Sequence, residues 1–288
     1  MTDHALHALA HDGSAAAAAL PPVAPRLVEL GGPAPAAPSG ARRIPGEVVT
    51  APLIDLDPAL GAELSPALRA QVRHWLVVPV CDLPRGPAGA GLEEQHDLAG
   101  VLVVGGVLAR SVSVGAIAYP ELLGPGDLMR PWHPGAGTCR VAFDVDWHVI
   151  EPCRLALLDR RLLAIAGRWP ELVGALMSRA LDRARELDVN MAIAQLPRLE
   201  LRLLAVLWHL ADRWGRPTPE GMLVPVRLTH SVLGGLVLGR RPTVSTSLSE
   251  LAARGLVSRC DDGWLLHGEP PAALRAHAGH GAGAVRPR

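Results

Sequence analysis

The spacing of apolar residues changes twice along this 288-residue chain. Residues 1–46 are rich in Ala, Pro and Gly and lack the β-branched and aromatic residues that build a core, so we expect a disordered leader there. Over residues 47–165, short runs of Val and Leu are separated by Gly and Pro, a pattern typical of strands joined by tight turns. From Pro170 onwards, apolar residues recur at helical spacing.

The middle region predicts an antiparallel β-roll or barrel, because several short strands follow one another closely. Its predicted strands are Gly100 to Val104, Val107 to Val114, Glu121 to Leu123 and Trp147 to Asp159. The sequence Gly-Pro-Gly-Asp at 124–127 is a tight-turn signal. We expect Ala156, Leu157 and Leu158 to lead into a helix.

The helix that begins at Pro170 carries a heptad seam of apolar residues spaced alternately by four and three. The seam consists of Val173, Met177, Ala180, Ala184, Leu187, Met191 and Ala194. One interpretation is a single amphipathic helix packed on its own domain. The strict 3.5-residue period favours a contact with a twin helix, because a straight helix drifts away from such a seam. Gln195, Leu196 and Pro197 interrupt the pattern and predict a hinge, after which a new stripe begins with Leu199 and Leu203.

The stretch from Leu228 to Gly268 has the order of a winged helix-turn-helix: a helix, a turn, a second helix and a hairpin closed by Asp-Asp-Gly. Thr229 is the expected N-cap of a first helix of about nine residues, and Gly239 is expected to supply the turn. Gly255 is expected to end the second helix in the left-handed conformation. The expected inward residues are Val232, Leu233, Leu236, Val237, Val244, Leu248 and Leu251.

Short polar side chains on the second helix suit the approach of a helix to the major groove of DNA. These candidates are Thr243, Ser245, Thr246 and Ser247. Thr229, Thr243 and Ser245 could donate to phosphates, but the two threonines could equally be satisfied inside the fold. Arg259, near the predicted wing, could reach the DNA backbone or simply be exposed.

The net charge of zero conceals an asymmetry between the two parts of the chain. Residues 1–195 hold 16 Arg against 21 acidic residues, whereas residues 196–288 hold 12 Arg against 7. A basic C-terminal part is expected when only that domain meets phosphate. The chain has no lysine, which excludes P-loop nucleotide hydrolysis, protein-kinase chemistry and pyridoxal catalysis on a protein lysine.

The four cysteines, at positions 81, 139, 153 and 260, are too scattered for a zinc knuckle or a disulfide framework, and they suit a reducing cytosol. The first 40 residues lack the basic region of a signal peptide. The longest later apolar run, Leu98 to Ala109, is too short to span a bilayer. We therefore expect a cytoplasmic protein.

Other chemistry-bearing residues give no catalytic or metal site. The pairs His133 with Cys139 and His148 with Glu151 are too sparse for a metal site. Trp208, His209 and Trp214 lie on a helical stripe, where core packing is the better interpretation. Because no motif of a hydrolase or metalloprotease is present, we expect a protein that is not an enzyme.

The pattern T-x-x-x-L-x-x-L-V-x-x-x-R-P-T-V-S-x-x-L-x-x-L-x-x-x-G-L-V, from Thr229 to Val257, resembles the Crp/Fnr family of bacterial transcription regulators. The resemblance extends over residues 95–268 and is looser in the β region, where Leu-Leu-Gly-Pro-Gly-Asp at 122–127 matches best. It implies an α+β fold with a cyclic-nucleotide-binding-like β-roll (a double-stranded β-helix), a long dimerisation helix and a C-terminal winged helix-turn-helix. The expected boundaries are a leader at 1–46, a sensor at 47–165, the dimerisation helix at 166–196, the DNA-binding domain at 197–270 and a disordered tail at 271–288.

By this resemblance the chain is a homodimeric, sequence-specific regulator that binds a palindromic operator and works with RNA polymerase. Arg241 stands where the family has an arginine that pairs with guanine; a base or phosphate contact is favoured over a merely solvated arginine at the helix start, and Arg240 is expected to touch phosphate or nothing. Thr246 stands where the family often has a second arginine, and Pro242 replaces a common glutamate, so the operator sequence does not carry over.

The resemblance also bears on the effector. The family's Gly-Glu pair for ribose is absent after the turn, and Arg140 is followed by Val141 instead of Ser or Thr. We therefore do not expect cyclic AMP as the effector, and the cysteine group of iron–sulfur relatives is missing. Haem, another small ligand and no ligand remain open. The alternative function is a ligand-binding or protein-interaction protein whose winged helix has lost specific DNA readout.

Overall fold

The computed structural model describes residues 48–88, 98–130 and 140–275. The expected leader and the end of the expected tail lie outside the described residues. The strands are β1 (Val48–Pro52), β2 (Val77–Leu83), β3 (Gly86–Pro87), β4 (Leu98–Val114), β5 (Ile117–Leu123), β6 (Leu128–Met129), β7 (Asp144–Asp159), β8 (Arg216–Thr218), β9 (Gly221–Val224), β10 (Val257–Cys260) and β11 (Gly263–Leu266). The α-helices are α1 (Leu53–Leu56), α2 (Pro66–Trp75), α3 (Arg160–Ala166), α4 (Pro170–Ala194), α5 (Leu199–Trp214), α6 (His230–Leu236) and α7 (Arg241–Ala253).

The N-terminal strands form an antiparallel sheet in the order β1–β2–β7–β4–β5, with β3 on β7 and β6 on β4. β4 and β7 pair along almost their whole length; Leu98 lies opposite Asp159 at one end and Ser113 opposite Asp144 at the other. β2 covers one half of β7, and β5 covers the opposite half of β4. This is the expected antiparallel domain, and its interior is filled by side chains from β2, β4 and β7.

One detail of the expected strands was wrong. The runs Gly100 to Val104 and Val107 to Val114 form one strand, because the glycines between them produce register shifts instead of a turn. Residues 156–158 lie at the end of β7 and lead into α3 as expected; the helix begins at Arg160, where the Asp159 carboxylate accepts a hydrogen bond from the Leu162 N–H at 2.6 Å.

Gly106 allows β4 and β7 to approach each other at the register shift. Its φ is +81°, a conformation that side chains disfavour, and a Cβ there would lie 2.0 Å from the Pro152 carbonyl oxygen. The neighbouring Gly105 would meet nothing within 4 Å. The two adjacent glycines therefore differ sharply in what they tolerate.

We expect Gly106→Ala to lower the free energy of unfolding by at least about 2 kcal/mol, because it combines left-handed strain with a backbone clash. Gly105→Ala is the matched control and should change it by less than about 1 kcal/mol. Urea unfolding of the full chain measures both values. Equal effects of the two substitutions would contradict the role assigned to Gly106.

The C-terminal half is built on helix α4 and a small helical domain. One face of α4 contributes Leu172 and Leu176 to a core that also contains α2, α3 and the sheet. After α4, helices α5, α6 and α7 pack against a four-stranded sheet in the order β10–β11–β9–β8. The β10–β11 hairpin is the expected wing. Val257 lies opposite Leu266 at its open end, and Cys260 lies opposite Gly263 at the turn.

Candidate nucleic-acid interface

Helix α6 begins as the sequence predicts but is shorter than expected. The Thr229 hydroxyl accepts a hydrogen bond from the Val232 N–H at 3.2 Å and caps the helix. The helix has seven residues, not about nine, and ends at Leu236. Because the Thr229 hydroxyl is an acceptor in this cap, its main role is within the fold.

The turn between α6 and α7 corrects the expectation for Gly239. The left-handed residue is Leu238, with a φ of 51°. A Cβ at Gly239 would lie 2.9 Å from the Leu199 Cδ1 atom, so a side chain at this position would displace the end of Leu199. The Gly239 N–H donates to the Gly234 carbonyl at 2.8 Å and closes the turn.

Helix α7 has the buried and exposed faces that a recognition helix requires, with one exception. Val244, Leu248 and Leu251 are buried as expected. Thr243 and Thr246 are exposed and Ser245 is half-buried. Ser247 is only 5% exposed, so its expected place on the outer face was wrong. It lies one turn from both Val244 and Leu251, and it therefore shares their inward face.

The two arginines at the start of α7 are both exposed. Arg240 is the N-cap residue and Arg241 the first helical residue, followed by Pro242 in the first turn. Neither guanidinium forms an ion pair within residues 48–88, 98–130 and 140–275. They are therefore free to meet an anion.

Three basic side chains from separate elements lie close enough for the charges of the two arginines to act on the histidine. They are Arg241, His230 at the start of α6, and Arg259 on the wing. Trp264 supports the group, with its ring centre 6.0 Å from that of His230 and 5.9 Å from the Arg259 guanidinium carbon. Partial burial, followed by the charges of Arg259 and Arg241, lowers the pKa of His230 below its usual 6.5. We call Arg241, His230 and Arg259 the basic cluster.

Sequence reasoning missed His230 as a member of the basic cluster, and it missed Ser249 and Glu250 on the exposed face of α7. Ser249 and Glu250 are exposed one turn beyond Thr246, and helical spacing from Thr243 and Thr246 could have identified them. The position of His230 depends on contacts between α6, α7 and the wing, which are distant in sequence. No local pattern could have identified it.

The expected dimerisation seam lies on an exposed face of α4. Val173, Met177 and Met191 are 39%, 59% and 60% exposed, and Ala180 and Ala184 are also exposed, whereas Leu187 is half-buried. Leu181, which the spacing missed, is 60% exposed next to the seam. Ala194 was wrongly included, since it is 6% exposed and packs within its own chain. The other residues form an apolar stripe that its own chain leaves uncovered.

A neighbouring face of α4 meets the sheet through charged residues. Glu121 on β5 is 6% exposed and accepts from Arg183 of α4 at 2.6 and 2.8 Å. Arg110 on β4 donates to the same carboxylate at 3.5 Å. Burial lowers the pKa of Arg110, because its effect outweighs the opposing effect of the Glu121 charge. Charged groups of the chain itself thus fill this part of the contact between α4 and the sheet.

The residues considered as metal ligands form no such site where the structure describes them. His133 and Cys139 lie outside the described residues. Glu151 instead accepts from Arg85 at 2.8 Å and from the Arg227 N–H at 3.2 Å. Burial raises the pKa of Cys81 to about 11 and that of Cys153 to about 12, so both remain thiols at neutral pH. The described part of the chain contains no group of three or more His, Cys, Asp or Glu side chains arranged to hold a metal ion.

The tryptophans of α5 pack as the sequence predicts. Trp208 and Trp214 lie against the core of the C-terminal domain. His209, in contrast, lies 2.7 Å from the Glu186 carboxylate of α4. Within the described residues, no helix combines the length and apolar character needed to cross a membrane.

Comparisons with known proteins agree with this arrangement. Residues 201–275 match the model of the Crp-like helix-turn-helix domain. The fold is similar to that of a CooA mutant from Carboxydothermus hydrogenoformans, with a TM-score of 0.53 at 17% identity over 74% of this chain and 90% of the other. FixK2 from Bradyrhizobium japonicum gives a TM-score of 0.54 at 18% identity, covering 71% of this chain and 100% of FixK2.

A cyclic nucleotide-binding domain containing protein from Listeria monocytogenes EGD-e gives a TM-score of 0.53 at 17% identity, over 73% of this chain and 96% of the other. No curated protein matches the chain significantly. The similar structures share its fold, and the matched helix-turn-helix carries the exposed arginines at the start of α7. Residues 201–275 therefore form a Crp-like helix-turn-helix domain, and the chain shares the fold of these solved structures.

Proposed function

We propose that the protein is a sequence-specific regulator that binds a palindromic operator as a homodimer. The observation that carries the proposal is the exposed, unpaired Arg241 at the start of α7, with His230 and Arg259 beside it. In this role Arg241 reads a base in the major groove, where an arginine forms two hydrogen bonds with guanine. Residues 197–270 act as the DNA-binding domain.

The remaining candidates contact the DNA backbone or the floor of the groove. Arg240 and Arg259 flank Arg241 and neutralise phosphates, which positions the domain without reading sequence. Thr243 and Thr246 are exposed and Ser245 partly so, and their small side chains allow α7 to come close to the bases. The Thr246 hydroxyl donates to the Pro242 carbonyl at 3.3 Å, which leaves its oxygen free to accept a hydrogen bond.

The apolar stripe on α4 supports the homodimer. Apolar residues spaced at 3.5-residue intervals pack against a copy of the same helix, and pairing would remove several half-exposed side chains from water. Residues 166–196 form this dimerisation segment. Twofold symmetry then presents two copies of α7 to half-sites about 34–36 Å apart.

The sensor, residues 47–165, works in this proposal without cyclic AMP. Arg140 is exposed and followed by Val141, and the half-buried arginines Arg110 and Arg183 are already engaged by Glu121. No arginine among these is therefore placed to hold a cyclic phosphate without breaking an ion pair. We further propose RNA polymerase as the protein partner, on the family resemblance alone.

Selection of bound fragments from a random DNA pool tests the proposal. We expect an enriched inverted repeat with one helical turn between half-site centres, and cyclic AMP should change neither the repeat nor its affinity. Absence of any enriched sequence after several rounds would contradict specific readout and favour the interaction protein considered above.

The basic cluster predicts that operator affinity rises as the pH falls. In the free protein His230 is neutral at pH 7, since its pKa is lowered below 6.5. A nearby phosphate favours the protonated ring and raises this pKa in the complex, so binding takes up a proton. Affinity should increase about two- to tenfold from pH 7.5 to 5.5, which titration at constant ionic strength measures.

His230→Gln is the control, because glutamine is polar but does not titrate. This variant should lose the pH dependence while retaining its affinity at pH 7.5. An unchanged pH dependence would exclude His230 as its source.

A further inference from the structure

The turn between β5 and β6, residues 124–127, binds the end of α5. The Arg213 guanidinium donates to the Asp127 carboxylate at 2.7 Å and to the Leu122 carbonyl at 3.4 Å. Asp127 is 7% exposed and the Arg213 side chain 16%, so the pair is screened from water. The same carboxylate oxygen accepts from the Gly124 N–H at 2.7 Å, which fixes the turn as well as the arginine.

Gly124 makes room for the next residue of α5. A Cβ on Gly124 would lie 2.4 Å from the Trp214 Cζ2 atom, so the indole occupies the place of a side chain. The Arg213 guanidinium carbon lies 4.6 Å from the centre of the same ring. Arg213 and Trp214 therefore engage the turn together.

Helix α6 makes a second close approach to the sensor. A Cβ on Gly235 would lie 2.6 Å from the Pro120 Cγ atom of β5, so only glycine lets the two elements meet. Around these contacts the apolar cores of the two domains are continuous. Four sheet residues, Val107, Ala109, Leu122 and Ile150, share one cluster with α5, α6 and α7.

Arg213 also faces the dimerisation helix. The Glu186 carboxylate of α4 lies 3.6 Å from the Arg213 Nε atom and 2.7 Å from the His209 Nε2 atom. Arg213 thus stands where the sensor turn, α4 and the DNA-binding domain meet.

We propose that these contacts form an interdomain latch, namely Arg213 with Asp127, Trp214 with Gly124 and Gly235 with Pro120, which fixes α7 relative to α4. Arg213 is its central positioning residue. The proposal rests on the proposed function, because an operator with two half-sites binds tightly only when both copies of α7 are held at the required spacing. A DNA-binding domain that turned freely about residues 195–198 would lose conformational freedom when it bound. A domain already fixed in place avoids this entropic cost.

Arg213→Met and Gly235→Ala test the latch in the full chain. Methionine keeps an unbranched side chain but loses the charge, and Arg213→Met combined with Asp127→Asn avoids leaving a buried carboxylate unpaired. Gly235→Ala raises helix propensity, so any loss comes from the Pro120 contact. Arg216→Met, an exposed arginine outside the latch, and Gly105→Ala are the matched controls.

We expect each latch variant to bind the two-half-site operator roughly tenfold more weakly, while binding to a single half-site changes less than about twofold. Hydrogen exchange of residues 195–198 without DNA should become faster. The controls should match the unmodified protein in both measurements.

Three results would overturn the latch: unchanged hydrogen exchange in the variants, tighter operator binding, or equal losses on the single and double sites. Equal losses would show that Arg213 serves only the fold of the winged helix. Failure of the proposed function is distinguishable, because the unmodified protein would then select no operator while the exchange measurement would still report on the latch.

Discussion

Met177→Glu is expected to convert the protein from dimer to monomer and to weaken operator binding by roughly 100-fold or more. The loss follows because each monomer would then bind its half-site without being linked to a second bound protomer. Met177 is 59% exposed in the single chain, so the substitution should scarcely affect the folding of each protomer. In the pair, two carboxylates would face each other across an apolar seam, where both desolvation and repulsion oppose association. Sedimentation equilibrium and operator titration measure the two effects.

Leu163→Glu is the matched control, since Leu163 on α3 is 45% exposed and lies outside the seam. It introduces the same charge at a similarly exposed aliphatic position, and the protein should remain a dimer with unchanged operator affinity. A Met177→Glu protein that stays dimeric would refute the seam as the dimer interface.

Arg241→Ala is expected to weaken binding to the selected operator by about 5- to 150-fold, the equivalent of about 1–3 kcal/mol for one bidentate arginine–guanine contact. Because base discrimination is what this arginine supplies, binding to unrelated DNA should fall much less. Competition between operator and random DNA at fixed salt measures the ratio.

Substitutions of two other arginines serve as controls for Arg241→Ala. Arg240→Ala should weaken both DNAs alike and reduce the slope of log affinity against log salt by about one, as the loss of a phosphate contact does. Arg216→Ala, an exposed arginine on β8, should leave binding unchanged. If Arg241→Ala lost affinity equally for operator and random DNA, Arg241 would contact phosphate and not a base.

Local patterns were sufficient where the determining forces are local. The Thr229 cap, the left-handed Gly255 and the wing turn were predicted correctly, because each depends on a few neighbouring residues. Helix α4 begins at Pro170 as expected, since proline suits a first turn. The exposed face of α4 was likewise predictable, because an apolar period of 3.5 residues repeats over many residues.

Prediction failed at Ser247 and at Gly239 for different reasons. Ser247 was placed outside by its polarity, although its helical spacing from Val244 and Leu251 already assigns it to their inward face. Gly239 was read as the turn residue, whereas the left-handed residue is Leu238, and a Cβ at Gly239 would approach the side chains of Leu199 and Val244. Steric exclusion of this kind is invisible in a single segment.

The sequence by itself determined the long helix α4, the winged helix-turn-helix and its family resemblance, because helix period, caps and turn residues are encoded within short windows. Only the tertiary structure decided which distant residues lie near each other: His230 near the charges of Arg241 and Arg259, and Arg213 bonded to Asp127 across 86 positions. The same turn at 124–127 was recognisable as a turn from its glycines, yet its place against α5 depends on burial of Trp214 and Arg213. Long-range burial and ion pairing depend on the whole fold, and no local spacing records them.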